Sequence, residues 1–248
     1  MKKRLIGAIK IFIEKELNIK MRRIIITESQ LKQLIRENLV REMAYPSSWN
    51  LEVFKTIKSF QGRVKYCEQH LHRLSSGSSR IVYQIDDEKV LKLAKNQKGI
   101  AQNQNESDYY LQSNELFAKV FDVDNDSLWI EMELARKAKP SDFKKIIGYD
   151  FETVKAFIAW YANGYSRHQH TINQKYIDIF NSEEFNEGFN NYNIFYDIED
   201  YLGNYTIESI GDLQRISSWG VVKRDGKDAL VLIDFGLTDD TYNSYYKK

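Results

Sequence analysis

The sequence predicts an α+β protein in two lobes, a mostly β N-terminal lobe and a helical C-terminal lobe, preceded by a helical arm. Its 248 residues are enough for one large domain or for two small lobes with cores of their own. Between residues 80 and 134 apolar residues recur at every second position, which is typical of strands. From residue 151 onwards they recur at every third or fourth position, as in helices that bury one face. We therefore divide the chain into residues 1–45, 46–134 and 135–248.

The composition narrows the class of protein. A net charge of +1 gives no specific nucleic-acid signal and no overall attraction to an anionic membrane. The single cysteine, Cys67, excludes an internal disulfide framework and suits a reducing cytoplasm. The most apolar N-terminal run, residues 5–13, is interrupted by Lys10 and falls short of the ~20 residues that cross a bilayer. No small-residue cleavage site follows it, so we expect neither a transmembrane segment nor a signal peptide.

Two amphipathic helices are predicted in the arm. The apolar side chains of residues 5–13 share one face, which packs on protein in the simpler interpretation and lies on a membrane surface in the other. Thr27 and Gln30 have the spacing of a capping box, and apolar residues then repeat at three and four up to Met43.

The start of the second helix resembles the leaders of many tailed-bacteriophage proteins. Residues 24–31 carry this resemblance, and triplets such as Ile26-Thr27-Glu28 match sites that prohead proteases cleave in some phages. Such triplets also arise in any amphipathic helix. The resemblance implies a phage protein in the bacterial host cytoplasm or in the virion, with phage structural proteins as partners of residues 1–45.

The remaining elements follow from the same periodicities. Short helices are predicted at residues 51–60 and 64–74, and strands at 80–85, 89–94, 116–123 and 128–134, with a helix between the second and third strands. Further helices are predicted at residues 142–147, 151–161, 176–180 and 194–202. Asp225 and Gly226 then indicate a type I′ turn between two last strands.

A candidate phosphate site lies at the first predicted hairpin. Gly77, Ser78 and Ser79 are small enough to let backbone N–H groups approach phosphate oxygens. Lys92 lies on the returning strand, where its ammonium group can reach the α- and β-phosphates. Glu106 follows fourteen residues later and either orients Lys92 by an ion pair or is an ordinary surface glutamate. Each of these features alone is weak evidence for a phosphate site.

The order of these elements resembles the protein-kinase-like superfamily. A glycine turn, a strand lysine, a helix glutamate, two strands and a connecting hinge are similar to its small lobe. Residues 77–96 resemble kinase-like proteins that bacteriophages encode, and the whole resemblance covers about residues 74–238. It implies a protein-kinase-like fold with a short C-terminal lobe, and ATP and Mg²⁺ as cofactors.

The resemblance also implies roles for individual residues. Asp212 would be the catalytic aspartate that orients the attacking hydroxyl, and Asp234, in an Asp-Phe-Gly motif, would be a magnesium ligand. Met132 would form the back wall of the nucleotide pocket. The backbone from Glu133 to Arg136 would bind the adenine.

The sequence departs from the superfamily at several positions. Gly77 is the only glycine of its loop, and Ile210 stands where the superfamily has a histidine. The asparagine that binds a second metal ion is replaced by Ser217, or by Ser218 if the loop holds one extra residue. Because twelve residues follow Gly236, we expect no activation segment and no peptide-docking helices.

Several functions remain open at this point. The leading hypothesis is an ATP/Mg-dependent phosphotransferase whose acceptor is a small molecule, a host protein or a nucleotide. A second hypothesis is a pseudokinase or structural module that binds a nucleotide or partner without catalysis. Transfer of another group from ATP, such as AMP, is the third.

Overall fold

The computed structural model describes residues 48–163, 171–189, 194–204 and 210–245. The chain divides into two compact units, Met1–Ala44 and Tyr45–Lys248, and the described residues all belong to the second. The two helices predicted in the arm therefore lie outside the described residues.

A single sheet organises the first half of the described chain. Its elements are α1 (Leu51–Thr56), α2 (Phe60–His70), β1 (His72–Ser76), β2 (Arg80–Gln84), β3 (Lys89–Ala94), α3 (Gln97–Glu106), α4 (Tyr109–Gln112), β4 (Val120–Val123) and β5 (Trp129–Glu133). The five strands are antiparallel and lie in the order β1-β2-β3-β5-β4. The strand that carries Lys92, β3, is thereby at the centre of the sheet.

Helices dominate the second half, which also contains a smaller sheet. The elements are β6 (Arg136–Lys137), α5 (Pro140–Ile147), α6 (Phe151–Ala162), α7 (Gln174–Phe180), α8 (Glu183–Phe189), α9 (Ile194–Asn204), a 3₁₀ turn (Ile216–Ser218), β7 (Trp219–Arg224), β8 (Lys227–Leu232) and α10 (Asp239–Tyr245). The β6, β7 and β8 strands form an antiparallel sheet. Asp225 and Gly226 have φ angles of 51° and 78°, which confirms the predicted type I′ hairpin.

These sheets and helices confirm the predicted α+β class, but the first two predicted helices have wrong bounds. The first ends at Thr56 instead of residue 60, and the second is wrong in its second half. Helix α2 ends at His70, and residues 72–76 form β1. Leu71 and Leu74 keep a helical spacing, yet Leu74 is 42% exposed, so it adds nothing to a buried helical face. The segment instead pairs with the open edge of β2.

Alternate residues of β3 face two different cores. Leu91 and Leu93 belong to a cluster with Phe54 and Cys67. Val90 belongs to the larger core, which includes residues of helix α6 and of both sheets. Because side chains alternate along a strand, Lys92 shares the face of Val90 and points to the same side of the sheet.

Backbone hydrogen bonds join the chain before β4 to β8. The Ala118 amide donates to the Leu232 carbonyl at 2.9 Å, and the Leu232 amide donates to the Leu116 carbonyl at 2.7 Å. Since β8 leads directly into residues 233–236, this pairing carries the Asp-Phe-Gly motif to the larger sheet.

The described helices are short. The longest, α6, has 12 residues, whereas a membrane-crossing helix needs ~20. Within the described ranges, no helix is both long enough and apolar enough to cross a membrane.

Candidate functional site

A cleft of about 300 Å³ opens on the face of the five-stranded sheet that carries Lys92. The predicted site residues that line it are Gly77, Ser79, Lys92, Met132, Glu133, Ser217 and Asp234. Ser78, Glu106 and Asp212 are outside this lining. The cleft therefore combines predicted site residues that are up to 157 positions apart in the sequence, from Gly77 to Asp234.

Lys92 lies at the bottom of the cleft and is only 5% exposed. Its neighbours across the sheet are Val82 on β2 and Ile130 on β5. The Nζ atom donates to Glu106 Oε2 at 2.7 Å and to the backbone carbonyl of Ile233 at 2.6 Å. Burial lowers the pKa of Lys92, and the neighbouring Glu106 carboxylate opposes that shift.

Glu106, the last residue of α3, is completely buried beneath the cleft. In addition to Lys92, its carboxylate binds the Arg80 guanidinium at 2.7 and 2.9 Å and accepts a hydrogen bond from the Phe235 amide at 3.3 Å. Burial by itself raises the pKa of Glu106, but Arg80 and Lys92 outweigh this and hold it at about 2. The carboxylate is therefore ionised at neutral pH, so the predicted ion pair with Lys92 is present.

Arg80 is a site residue that sequence reasoning missed. It is the first residue of β2, is 7% exposed and lines the cleft. Its guanidinium reaches Glu106, Asn103 Oδ1 at 3.3 Å and Asp234 Oδ1 at 2.7 Å. The only available signal was an arginine beginning a strand of apolar residues, and such a residue most often turns to solvent.

Asp234 follows β8 and lies beside Arg80 and Lys92. Its side chain is 55% exposed, and its Oδ1 atom accepts the hydrogen bond from Arg80. The preceding carbonyl, of Ile233, accepts the hydrogen bond from Lys92. The structure thus brings Lys92, Glu106 and Asp234 close together.

The rest of the Asp-Phe-Gly motif packs against α3. Phe235 is 3% exposed and contacts Phe117, with 4.5 Å between the ring centroids. A Cβ atom on Gly236 would lie 2.5 Å from the Gln102 carbonyl oxygen and 2.9 Å from its Cα atom. Only glycine permits this close approach, which fixes Asp234 relative to the helix that carries Glu106.

Hydrogen bonds to residues that follow β3 hold the turn at residues 77–79 in place. The Lys95 Nζ atom donates to the Gly77 carbonyl at 2.6 Å, and the Asn96 side-chain amide donates to the Ser78 carbonyl at 3.1 Å. The Ser79 hydroxyl donates to Gln102 Oε1 at 2.6 Å. Within the described chain, the amides of Ser78 and Ser79 have no hydrogen-bond acceptor, so they remain able to bind phosphate oxygens.

Asp212 lies outside the cleft lining. Its side chain is 14% exposed and pairs with Arg215 at 3.2 Å. Burial raises the pKa of Asp212, and the negative charge of Asp234 raises it further. The two aspartates are therefore close enough to interact electrostatically, although only Asp234 lines the cleft.

The two serines after Asp212 have different environments. Ser217 is exposed and lines the cleft, whereas Ser218 is 3% exposed and its carbonyl accepts a hydrogen bond from the Ile233 amide at 2.8 Å. The sequence left open whether Ser217 or Ser218 replaces the metal-binding asparagine. Of the two, Ser217 is the one that faces the cleft. Met132, which is 1% exposed, and Glu133 also line the cleft.

The donor set suits a magnesium ion that is bound mainly by phosphates. Asp234 and Glu133 are the carboxylates that line the cleft, but Glu133 Oε2 is bound by Arg224 at 3.0 Å. The described residues contain no group of three or more His, Cys, Asp or Glu side chains that could hold a metal ion. Asp234 Oδ2 has no hydrogen-bond partner in the described chain. One carboxylate oxygen completed by phosphates and waters fits Mg²⁺.

When the sequence is compared with known proteins, no protein-family model and no curated protein matches it. The geometry of the cleft therefore carries the functional argument. It combines a buried ammonium group, a half-exposed carboxylate and two unpaired backbone amides, which together suit a polyphosphate and a divalent cation.

Proposed function

We propose that this protein is an ATP/Mg-dependent phosphotransferase of an atypical, protein-kinase-like fold. The observation that carries the proposal is the Lys92–Glu106 ion pair at 2.7 Å in a cleft that Asp234 also lines. A buried ion pair costs desolvation free energy and is weak evidence for stability. Its position in a cleft beside a half-exposed carboxylate favours a binding role instead.

The arrangement of elements supports the two-lobed interpretation. The five-stranded sheet with α3 corresponds to the small lobe, and helices α5 to α9 correspond to the larger one. The chain from Glu133 to Lys137 connects them and contributes to the wall of the cleft. In this interpretation the adenine lies against the connection, next to Met132 and Val90.

Each site residue then has a role that follows from its chemistry. Lys92, held by Glu106, would bind the α- and β-phosphates, and the amides of Ser78 and Ser79 would bind phosphate oxygens from above. Asp234 would hold Mg²⁺, which neutralises charge on the phosphates when it is bound. Asp212 would orient the hydroxyl group of the acceptor and accept its proton.

A second candidate function is nucleotide binding without phosphoryl transfer. Asp212 pairs with Arg215 and does not line the cleft, and Ser217 offers a hydroxyl group where a metal ligand of the amide type was expected. Both observations weaken the acceptor side and leave the nucleotide side intact. Bacteriophage origin, location in the host cytoplasm or virion, and partners for residues 1–45 remain proposals based on the sequence resemblance.

Thermal denaturation with ATP, with and without Mg²⁺, tests the nucleotide site. A ligand at ~100 times its Kd stabilises a protein by about 2.7 kcal/mol. We expect ATP to stabilise the wild type, Mg²⁺ to increase the effect, and Asp234→Ala to lose the Mg²⁺-dependent part. Asp126→Ala, at an exposed position outside the cleft, is the matched control. Absence of any ATP effect on the wild type would exclude the proposal.

ATP turnover separates the two candidate functions. If the protein is a phosphotransferase, Asp212→Asn retains ATP-dependent stabilisation and lowers turnover by about 100-fold or more. If it only binds nucleotide, the wild type and Asp212→Asn show the same background turnover.

A further inference from the structure

We propose that Arg80 acts as a fixed second cation in this site, so that a single divalent ion enters with the nucleotide and binds Asp234 through Oδ2. The inference rests on the proposed function and adds a positioning residue to it. Arg80 would hold the Asp234 carboxylate in place. Its positive charge would replace the charge that a second metal ion otherwise supplies.

The hydrogen bonds of Arg80 hold its guanidinium firmly. Nη1 contacts Asn103 Oδ1 at 3.3 Å and Glu106 Oε2 at 2.7 Å. Nη2 contacts Glu106 Oε1 at 2.9 Å and Asp234 Oδ1 at 2.7 Å. The four N–H groups of these two nitrogens thus have four acceptors, two of them on one buried carboxylate. Withdrawing Arg80 would remove one of the two cations that Glu106 contacts, so the guanidinium should stay when a ligand binds.

The charges of the site are already balanced. Arg80 and Lys92 supply two positive charges, and Glu106 and Asp234 supply two negative charges in direct contact with them. A cation that approaches Asp234 meets the guanidinium on the Oδ1 side. Repulsion between the two positive charges therefore opposes a metal ion that uses both carboxylate oxygens, and leaves Oδ2 as the ligand.

A second metal ion would also lack protein ligands. Ser217 contributes a hydroxyl group, which is a weaker neutral ligand than an amide oxygen, and it is exposed. The Glu133 carboxylate is bound to Arg224, and Asp212 is paired with Arg215 outside the cleft lining. Both the charge and the donor set therefore favour one ion.

The direct test is a Mn²⁺ titration followed by electron paramagnetic resonance. With saturating ATP, we expect one Mn²⁺ per wild-type complex beyond what the same ATP binds without protein. Two protein-dependent ions would overturn the proposal. In the absence of ATP we expect no saturable Mn²⁺ binding at millimolar concentrations, because Asp234 and Glu133, the two carboxylates that line the cleft, each already contact an arginine through one oxygen.

Substitution of Arg80 tests whether the guanidinium weakens Mn²⁺ binding. Without nucleotide, Arg80→Gln should show saturable Mn²⁺ binding, at least about tenfold tighter than the limit that the same titration sets for the wild type, because Oδ1 and the negative charge of Asp234 become available. Arg80→Lys keeps the charge and should remain close to the wild type. Arg73→Gln, at an exposed ion pair with Glu68, is the matched control and should change nothing. No gain in Arg80→Gln, or an equal gain in Arg73→Gln, would overturn the proposal.

The measurements with ATP and those without nucleotide test different parts of the proposal. If ATP does not bind, the proposed function is wrong, yet the nucleotide-free comparison of Arg80→Gln with the wild type still decides the role of Arg80. If Arg80→Gln does not fold, Mn²⁺ binding by Ser217→Asn in the presence of ATP tests the role of Arg80. With Arg80 intact, the new amide should not add a second Mn²⁺. A second ion in Ser217→Asn would show that a missing ligand, and not the guanidinium, limits the site.

Discussion

The two sides of the cleft differ in how their charged residues are held. On the side of β2, β3 and α3, Arg80, Lys92 and Glu106 are 7%, 5% and 0% exposed, and both cations contact the Glu106 carboxylate directly. On the side of residues 210–218, Asp212 pairs with Arg215, whose side chain is 69% exposed, and Ser217 is exposed. One side is a buried cluster of two cations around one carboxylate, and the other is a loop with a single partly exposed ion pair.

In the proposed function, this difference would separate nucleotide binding from phosphoryl transfer. Buried charges must be compensated by one another, so the nucleotide side depends on several residues at once and tolerates little change. The acceptor side depends on few contacts and can vary without loss of the fold. A chain with this arrangement can retain nucleotide binding whether or not it transfers phosphate.

The largest expected effect is the loss of the carboxylate at the centre of the buried cluster. Glu106→Ala leaves Arg80 and Lys92 without their shared partner and should lower the free energy of unfolding by about 3–5 kcal/mol. Glu68→Ala breaks the exposed pair with Arg73 and should cost less than about 1 kcal/mol. Urea denaturation of both variants checks the difference. Equal losses would remove the distinction between buried and exposed charges on which the comparison rests.

A smaller effect is expected where the Asp-Phe-Gly motif meets α3. Gly236→Ala places a methyl group 2.5 Å from the Gln102 carbonyl oxygen and should cost about 1–3 kcal/mol. Gly77→Ala meets no atom closer than the Arg80 carbonyl oxygen at 3.9 Å, so its stability should change by less than about 0.5 kcal/mol. Thermal denaturation checks both, and ATP titration should show weakened binding for Gly77→Ala if phosphates approach the turn. A stable Gly236→Ala protein would mean that α3 moves away from the motif.

The effect of pH on stability has opposite signs on the two sides, and its Asp212 part is the smallest effect expected. The folded-state pKa of Glu106 is lowered to about 2 from an ordinary value of 4.5, so its contribution to stability is present above pH 4.5 and is lost as the pH falls towards 2. The pKa of Asp212 is raised above 3.8, so its contribution is present below pH 3.8 and is lost as the pH rises through the folded-state pKa.

Asp212→Asn should therefore be at least as stable as the wild type at pH 7, and the difference should disappear below pH 3.8. Thermal denaturation of both proteins between pH 3 and pH 7 measures it. If the variant is less stable than the wild type at pH 7, the pair with Arg215 outweighs the burial of the carboxylate.

Most of the fold could be predicted from local pattern. Strand periodicity located β2, β3 and β5, and the Asp225-Gly226 pair defined the turn between β7 and β8, because these signals depend on neighbouring residues alone. The pattern failed at β1, whose residues are exposed and acquire their conformation only by pairing with β2. No alternation of apolar residues can mark such a strand.

The candidate site divides in the same way. The sequence by itself determined the chemical groups, a strand lysine, a helix glutamate and an Asp-Phe-Gly motif, since residue type and order are enough to suggest a phosphate site. Only the tertiary structure decided that Arg80 joins Glu106 to Asp234, which lies 154 residues away, and that Asp212 pairs with Arg215 outside the cleft lining. An ion pair depends on distance and burial, and neither is encoded in the spacing of residues along the chain.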